Sequence, residues 1–505
     1  MSLNRTSLFG ATALLSIAVL AGRLSGFMRE LLLAGSFGVS SEADVAVIVL
    51  TLPDLLVNVL ISGGLSVALV PAFQKTNLDL KGLFLLQASL VVLVAFGLIS
   101  FALLLFPEAF FGMLAPGMID SEVKLSPFAM IALAVSLPLA ALSGVSAAAL
   151  NSSGRFFVAG CGTLIFNLCV IVSIVVSFNQ NQIGLSLLCL GVAIGTLFRL
   201  CSQWFTLSFM VDITPSRLFK CWLINRNLIN AFVAGLGATS VLVLLPIVIR
   251  AASSLIGEGQ LSAFNYAMKL VELPVGIFIA TVVTVMYPQL NSAISVGSNS
   301  EAALIVKDGI LKLFVLSVAI VLCGWKFCDS AVNLLFGFGR VTQEERSHVA
   351  DLVKIALLSV PWIGVVSVMS TAANAKGLHG LVLKLNFYAF LLLPLLLLPG
   401  VILSSPLILL ASQPFFYIFL TYLFYRFSDI KELAPFPNSV FRASLIMFIA
   451  FIPFVFIDQM CSNIFDQHSV GYDLSRIVIA VTSWVAVVYT GFRVLSLFKI
   501  NSCKC

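Results

Sequence analysis

Apolar runs long enough to cross about 30 Å of hydrocarbon as helix, roughly 20 residues each, recur about fourteen times along this chain. They do not alternate as the short segments of a β-barrel would. The pattern predicts helices near Ser7–Ser36, Ala43–Phe73, Gly82–Phe106, Pro127–Leu150, Phe156–Ser177 and Ile183–Val211. After a basic connector, further helices are expected near Leu228–Ile256, Ser262–Leu290, Ala303–Phe327, Val349–Ala375, Val382–Pro399 and Ile402–Tyr425. A polar link from Arg426 to Asn438 leads to a last pair near Ser439–Ile457 and Leu474–Leu497. The expected fold is therefore an all-α polytopic membrane protein of about 14 transmembrane helices. Arg5 ahead of the first apolar run is superficially a signal peptide, but no small-x-small cleavage site follows, so that run reads as helix one.

An internal repeat organises these helices. The segment from Ser136 to Gly154 lines up with that from Ser359 to Gly377, pairing Pro138 with Pro361, Asn151 with Asn374 and Gly154 with Gly377 at one offset, 223 residues (361 − 138, 374 − 151, 377 − 154). Pro71 and Pro288 pair at a similar offset of 217 (288 − 71). The expected domains are an N-terminal six-helix lobe (1–212), a cytoplasmic connector (213–227), a C-terminal six-helix lobe (228–426) and an additional helix pair (439–497). Six helices per copy is even, so the two pseudo-symmetric lobes share orientation, a transporter arrangement with its site between the halves near the midplane.

Composition agrees. Of 505 residues 60% are hydrophobic and 10% charged, where soluble domains carry about 25% charged residues. The net charge of +6 matters less than its distribution. With a cytoplasmic N-terminus, that side holds most of the basic residues, among them Lys75, Arg155, Lys220, Lys376 and Arg426, whereas the other side holds only a handful, including Lys124, Lys326, Arg340, Arg346 and Arg476, beside Asp458 and Asp473. Both termini are thus expected in the cytoplasm. The ten cysteines are mostly scattered singly through apolar segments and the three histidines lie far apart, which gives neither a disulfide framework nor a metal site. No cofactor is expected, and no nucleotide-binding, nucleophile-elbow or zinc-protease motif is found. No loop exceeds about 20 residues, so a soluble catalytic domain has no room.

The remaining charges sit where they are costly. A cation at the centre of a membrane helix costs about 2.5 to 3.5 kcal/mol on insertion scales and so faces a watery cavity or a partner. The candidates are Arg23, Arg29, Arg199, Arg250 and Lys269. Arg23 and Arg29 lie roughly 120° apart on an ideal helix, and Gly22, Ser25 and Gly26 permit a break that turns both to one cavity. Alternatively, Arg29 pairs with Glu30 or Asp44 while Arg23 reaches an interface. Lys269 and Glu272 share one helical face, either as a neutralising pair or with Glu272 orienting a cation that meets an anionic substrate. Asp54, with Asn58 one turn later, is a proton or cation site or a salt-bridge partner for an arginine of helix one.

The run Gly22-Arg23-Leu24-Ser25-Gly26-Phe27-Met28-Arg29-Glu30, with Phe37-Gly38, Glu42-Ala43-Asp44, Leu52-Pro53 and Val70-Pro71-Ala72-Phe73, resembles the first two helices of the MviN/MurJ family, lipid II flippases of the MOP exporter superfamily. Arg250 to Leu255, Leu261 to Ala267 and Leu273 to Phe278 resemble that family's seventh and eighth helices. The resemblance implies a fourteen-helix transporter, not an enzyme, in the bacterial inner membrane. Its substrate would be undecaprenyl-diphosphate-linked peptidoglycan precursor, moved from the inner to the outer leaflet by alternating access. Implied partners are this lipid-linked glycan, the bilayer and cell-wall synthesis proteins, with no nucleic acid. The candidate substrate-binding set is Arg23, Arg29, Asp44, Asp54, Asn58, Arg250, Lys269 and Glu272. Four residues depart from the family pattern. Val57 and Asn58 stand where members commonly carry another arginine, Ser62 where many carry an acidic residue, and Lys269 replaces an arginine, losing the bidentate fork. A flippase for another polyprenyl-linked oligosaccharide and a MATE-like ion-coupled exporter are the competing readings, the latter disfavoured by the arginines of helix one. A membrane-embedded glycan polymerase or transferase would need acidic catalytic residues on a sizeable loop.

Overall fold

A computed structural model describes residues 5–59, 68–119, 123–177, 184–210, 221–427, 438–464 and 470–502. Among the described residues the secondary structure is helical, without strands. Nine described helices are long and apolar enough to cross a membrane, and Leu242–Ser254 and Ile446–Met460 are shorter apolar stretches. The chain divides into two compact units, Met1–Ser262 and Ala263–Cys505.

In the first unit α1 spans Arg5–Phe37 and α2 Ser41–Val59, followed by α3 (Val70–Lys75), α4 (Leu78–Leu105), α5 (Pro107–Leu114), α6 (Pro127–Ser152), α7 (Phe156–Ser177), α8 (Gly184–Ser208) and α9 (Arg226–Ser254). Of the single span expected over Ala43–Phe73, the described parts, up to Val59 and from Ala68 on, are helical; Gly63 and Gly64 lie outside the described residues. Helix α6 is central: 61% of its most apolar stretch is buried inside the protein, against 28% for α4. Its sequence explains this, because Ala140, Ala141, Ser143, Gly144, Ala147 and Ala148 are small enough for neighbouring backbones to approach in lipid, where packing rather than water exclusion drives association. Helices α2, α4 and α8 all pack on α6. Ser126 caps α6, accepting the Ala129 N–H at 3.2 Å, with Pro127 opening the helix.

The second unit holds most of α10 (Gln260–Pro274), a π-helical turn over Val275–Ile279, α11 (Ala280–Ser295), α12 (Asn299–Phe336), α13 (Gln343–Leu357), α14 (Val360–Ala375), α15 (His379–Ile402), α16 (Pro406–Phe427), α17 (Asn438–Ile464) and α18 (Val470–Ser502). Pro274 has no N–H for the helix ladder, and the wider π turn follows it directly. Pro361 stands at the first turn of α14, after a turn at Leu358 and Ser359; the expected span Val349–Ala375 lies within Gln343–Ala375, one of the nine membrane-length stretches. Helices α17 and α18 pack on α12 through Val315, Ala319, Cys323 and Phe327, meeting Met447 and Phe451 of α17 and Val487 of α18.

The repeat is visible in local geometry. Gly154 and Gly377 both have φ +76°, the left-handed conformation that closes a helix. Beyond them the Arg155 N–H donates to Leu150 O and the Leu378 N–H to Ala373 O, each at 2.9 Å. The same six-residue closure thus ends α6 and α14, at the positions paired in sequence.

One side-chain cluster adds to the sequence reading. Lys326 and Arg476 lie on helices as expected, and Asp458, one residue past the expected end of its helix, lies on α17 and is buried. The Arg476 Nε donates to Asp458 Oδ1 at 2.7 Å, Nη1 to Ser330 Oγ at 3.0 Å and Nη2 to the Lys326 carbonyl at 2.8 Å. This clamp ties α17 and α18 to α12.

Candidate functional site

The charges of α1 and α2 meet inside the first unit. The Arg29 guanidinium, 4% exposed, donates from Nη2 to Glu30 Oε1 at 2.8 Å and from Nη1 to Asn167 Oδ1 at 3.1 Å. Both terminal nitrogens also reach Asp54 Oδ2 at 3.2 Å. The ring of Phe166 lies 5.8 Å from the guanidinium carbon, a cation–π distance. Asp54 accepts from one side while its side chain stays 38% exposed, so the cluster is sealed on α7 and open at the carboxylate. The expected alternative partner, Asp44, is not part of it.

Glycines of α1 allow this arrangement. The helix runs unbroken from Arg5 to Phe37, so Gly22, Ser25 and Gly26 make no break. They form a notch for α7 instead. A methyl group on Gly26 would lie 3.3 Å from Asn167 Nδ2, which donates to the Gly22 carbonyl at 3.1 Å and to Ser25 Oγ at 3.0 Å. Asn167 thereby holds its Oδ1 towards Arg29. Sequence reading missed Asn167; the available signal was an amide in an otherwise apolar run. Arg23, on the same helix, is exposed and makes no hydrogen bond or ion pair among the described residues.

Asp44 does different work. It is fully buried, and its two oxygens accept from the backbone N–H groups of Gly259 at 2.8 Å and Ser262 at 2.7 Å. Those donors belong to the first turn of α10, where a carboxylate both satisfies orphan N–H groups and complements the helix dipole. Gly259 is required there: its φ is +75°, and a methyl group on it would sit 2.9 Å from Val39 Cγ1. In this conformation Asp44 is a helix cap with no oxygen facing a ligand.

Arg250 donates from Nη1 to Thr51 Oγ1 at 3.1 Å and lines a small cavity with Val47, Ile48, Leu114, Ile247 and Leu261. In the second unit Lys269 Nζ and Glu272 Oε2 pair at 2.7 Å, with side chains 27% and 44% exposed, so the pair is partly exposed rather than buried. The side chains of Val57, Asn58 and Ser62 lie outside the described residues. No group of three or more His, Cys, Asp or Glu side chains able to hold a metal occurs among the described residues.

The site therefore has two arginines on α1, Arg29 held by both Glu30 and Asp54 and Arg23 by neither, in a helical chain with an internal sequence repeat. Residues 33–379 match the family model described as lipid II flippase MurJ. The chain belongs to the lipid II flippase MurJ family. A curated relative in this family, the probable lipid II flippase MurJ of Aquifex aeolicus (strain VF5), is 25% identical over 377 residues, 73% of each chain. The fold agrees with a solved lipid II flippase MurJ in an inward closed conformation, at a TM-score of 0.79 and 18% identity over 96% of this chain and 99% of that one. An inward-facing multidrug resistance MATE family transporter of the MOP superfamily aligns at a TM-score of 0.67 and 13% identity, over 84% of this chain and 98% of that one. This MurJ family member is accordingly a multi-pass membrane protein, and the MATE likeness concerns the fold alone.

Proposed function

We propose that this chain is a transporter that moves lipid II, the undecaprenyl-diphosphate-linked peptidoglycan precursor, from the inner to the outer leaflet by alternating access. The observation that carries the reading is the family match over residues 33–379; the intramembrane arginines give it a chemistry. Arg23 and Arg29 attract the diphosphate, and Lys269, steadied by Glu272, adds a point charge from the second lobe. In a site of low dielectric such charge-assisted bonds are stronger than in water. Asp54 shares Arg29 in the absence of substrate, so an arriving phosphate competes for one guanidinium face and weakens the tie between α1 and α2. Substrate binding then shifts the balance between conformations because it replaces a contact made in only one of them. Resetting uses the inside-negative potential, worth about 2.3 kcal/mol per charge per 100 mV.

The same reading places the protein in the bacterial inner membrane with both termini cytoplasmic, the lipid tail along the last helix pair, and cell-wall synthesis proteins as users of the product. Complementation tests it. Expression in a bacterium depleted of its own lipid II flippase is expected to restore growth, and Arg29→Ala is expected to abolish the rescue. A membrane-inserted protein that does not rescue would redirect attention to another polyprenyl-linked glycan and to Val57, Asn58 and Lys269.

A further inference from the structure

A second buried arginine faces the same region and has no hydrogen-bond or ion-pair partner among the described residues. Arg199 on α8 is 5% exposed, and its Nε is buried without a hydrogen-bond partner. None of its nitrogens forms an ion pair with a described carboxylate. One turn on, Gln203 is fully buried and both its amide oxygen and nitrogen lack partners. Buried polar groups are nearly always satisfied, and each one left without a partner costs about 1 to 3 kcal/mol. Two residues one turn apart in that condition on one helical face point to a ligand that supplies their partners.

Their surroundings indicate what it is. Both side chains lie against Gly162 of α7, where a methyl group would stand 3.0 Å from Arg199 Cγ, 3.2 Å from its Nε and 3.0 Å from Gln203 Nε2. Only a glycine lets both side chains pack this closely against α7. Gly22 of α1 meets Thr163 on the same stretch of α7, so Arg23 and Arg199 lie at about the same depth on either side of it. Asp54, 38% exposed at its side chain, pairs with Arg29 and forms no ion pair with Arg199.

We propose that Arg199 and Gln203 form an anion subsite of the first lobe, binding a phosphate of the lipid-linked diphosphate alongside Arg23 and Arg29. This rests on the flippase reading and adds a ligand to it. It also supplies a cation from α8 in a chain that carries Val57 and Asn58 on α2 where the family commonly has an arginine. The guanidinium takes the phosphate through two parallel N–H donors, and the Gln203 amide adds a neutral donor. Arg199 is thus a specificity residue for the diphosphate over uncharged polyprenyl lipids.

The test uses the full chain in lipid nanodiscs, with undecaprenyl diphosphate and undecaprenol as probes. The wild type is expected to prefer the diphosphate. Arg199→Gln is expected to lower affinity for it by at least about tenfold, the loss of one charged hydrogen-bonded contact, and to leave undecaprenol binding unchanged. Gln203→Leu is expected to give a smaller loss of the same selectivity. If Arg199→Gln does not fold, Arg199→Lys carries the test, since a point charge without the fork keeps part of the preference. A variant that keeps the full preference overturns the subsite while leaving the flippase reading intact. Equal loss of both lipids makes Arg199 a packing residue and also overturns it. A wild type that binds the two lipids equally overturns the flippase reading and the subsite with it.

Discussion

Removal of the Arg29 side chain separates the structural from the transport role of the α1 cluster. Arg29→Met keeps most of the volume and deletes the charge. Glu30, 3% exposed, then loses the guanidinium that faces it at 2.8 Å, and Asn167 Oδ1 loses a donor. Asp54 loses its partner too, but at 38% side-chain exposure water replaces most of that interaction. Breaking a buried pair on one side costs about 3 to 5 kcal/mol; Glu30 keeps an interaction besides Arg29, so the loss is expected at the lower end of that range and mainly from Glu30. Arg29→Met/Glu30→Gln removes both charges and is expected to recover most of that loss, leaving about 1 kcal/mol for the unpartnered Asn167 acceptor. Thermal unfolding in detergent, followed by intrinsic fluorescence, reads the order: wild type, then the double variant close below, then the single variant several degrees lower. Transport behaves differently, and both variants are expected to be inactive because the substrate cation is gone from both. A double variant no more stable than the single one refutes the assignment of the cost to Glu30. A stable double variant that transports refutes Arg29 as a substrate ligand.

Asp44→Asn keeps the shape but offers one acceptor oxygen where the carboxylate serves both Gly259 and Ser262; a loss of about 1 to 3 kcal/mol is expected, visible as a lower melting temperature. Gly154→Ala and Gly377→Ala each force a Cβ into φ +76° and are expected to cost about 1 to 2 kcal/mol, nearly equally, as repeat equivalence requires; thermal unfolding of the two variants compares them. Lys269→Gln breaks a partly exposed pair, so stability is expected to fall by less than about 1 kcal/mol while complementation weakens, a split that growth and melting measured together would reveal.

The membrane architecture was legible because apolar run length is dictated by bilayer thickness, and the 223-residue offset led to two equivalent helix closures at Gly154 and Gly377. Less legible was which way each polar group points. Arg29 reads as a partner of Glu30 or Asp44, and Asp54 as a salt-bridge partner for an arginine of helix one; the structure joins Glu30 and Asp54 on Arg29, leaves Asp44 out and adds Asn167 from 138 residues away. Asp44 looked like a cavity carboxylate because its role depends on Gly259, 215 residues on. The glycines of α1 read as a break, since sequence alone does not distinguish a hinge from a packing notch. Their function became clear only with Asn167 seated against Gly26. Arg199 was recognisable as an intramembrane cation, whereas Gln203 beside it gave no sign in the sequence of lacking a partner.

The most direct test of the central claim is whether this protein exposes lipid II at the outer leaflet. In cells whose own flippase is blocked, radiolabelled lipid II would be challenged with an externally added enzyme that cleaves its headgroup. With this protein present the label is expected to become cleavable, and with Arg29→Met/Glu30→Gln, inserted at equal level, to stay protected. Protected label in the presence of well-expressed wild type would contradict the account.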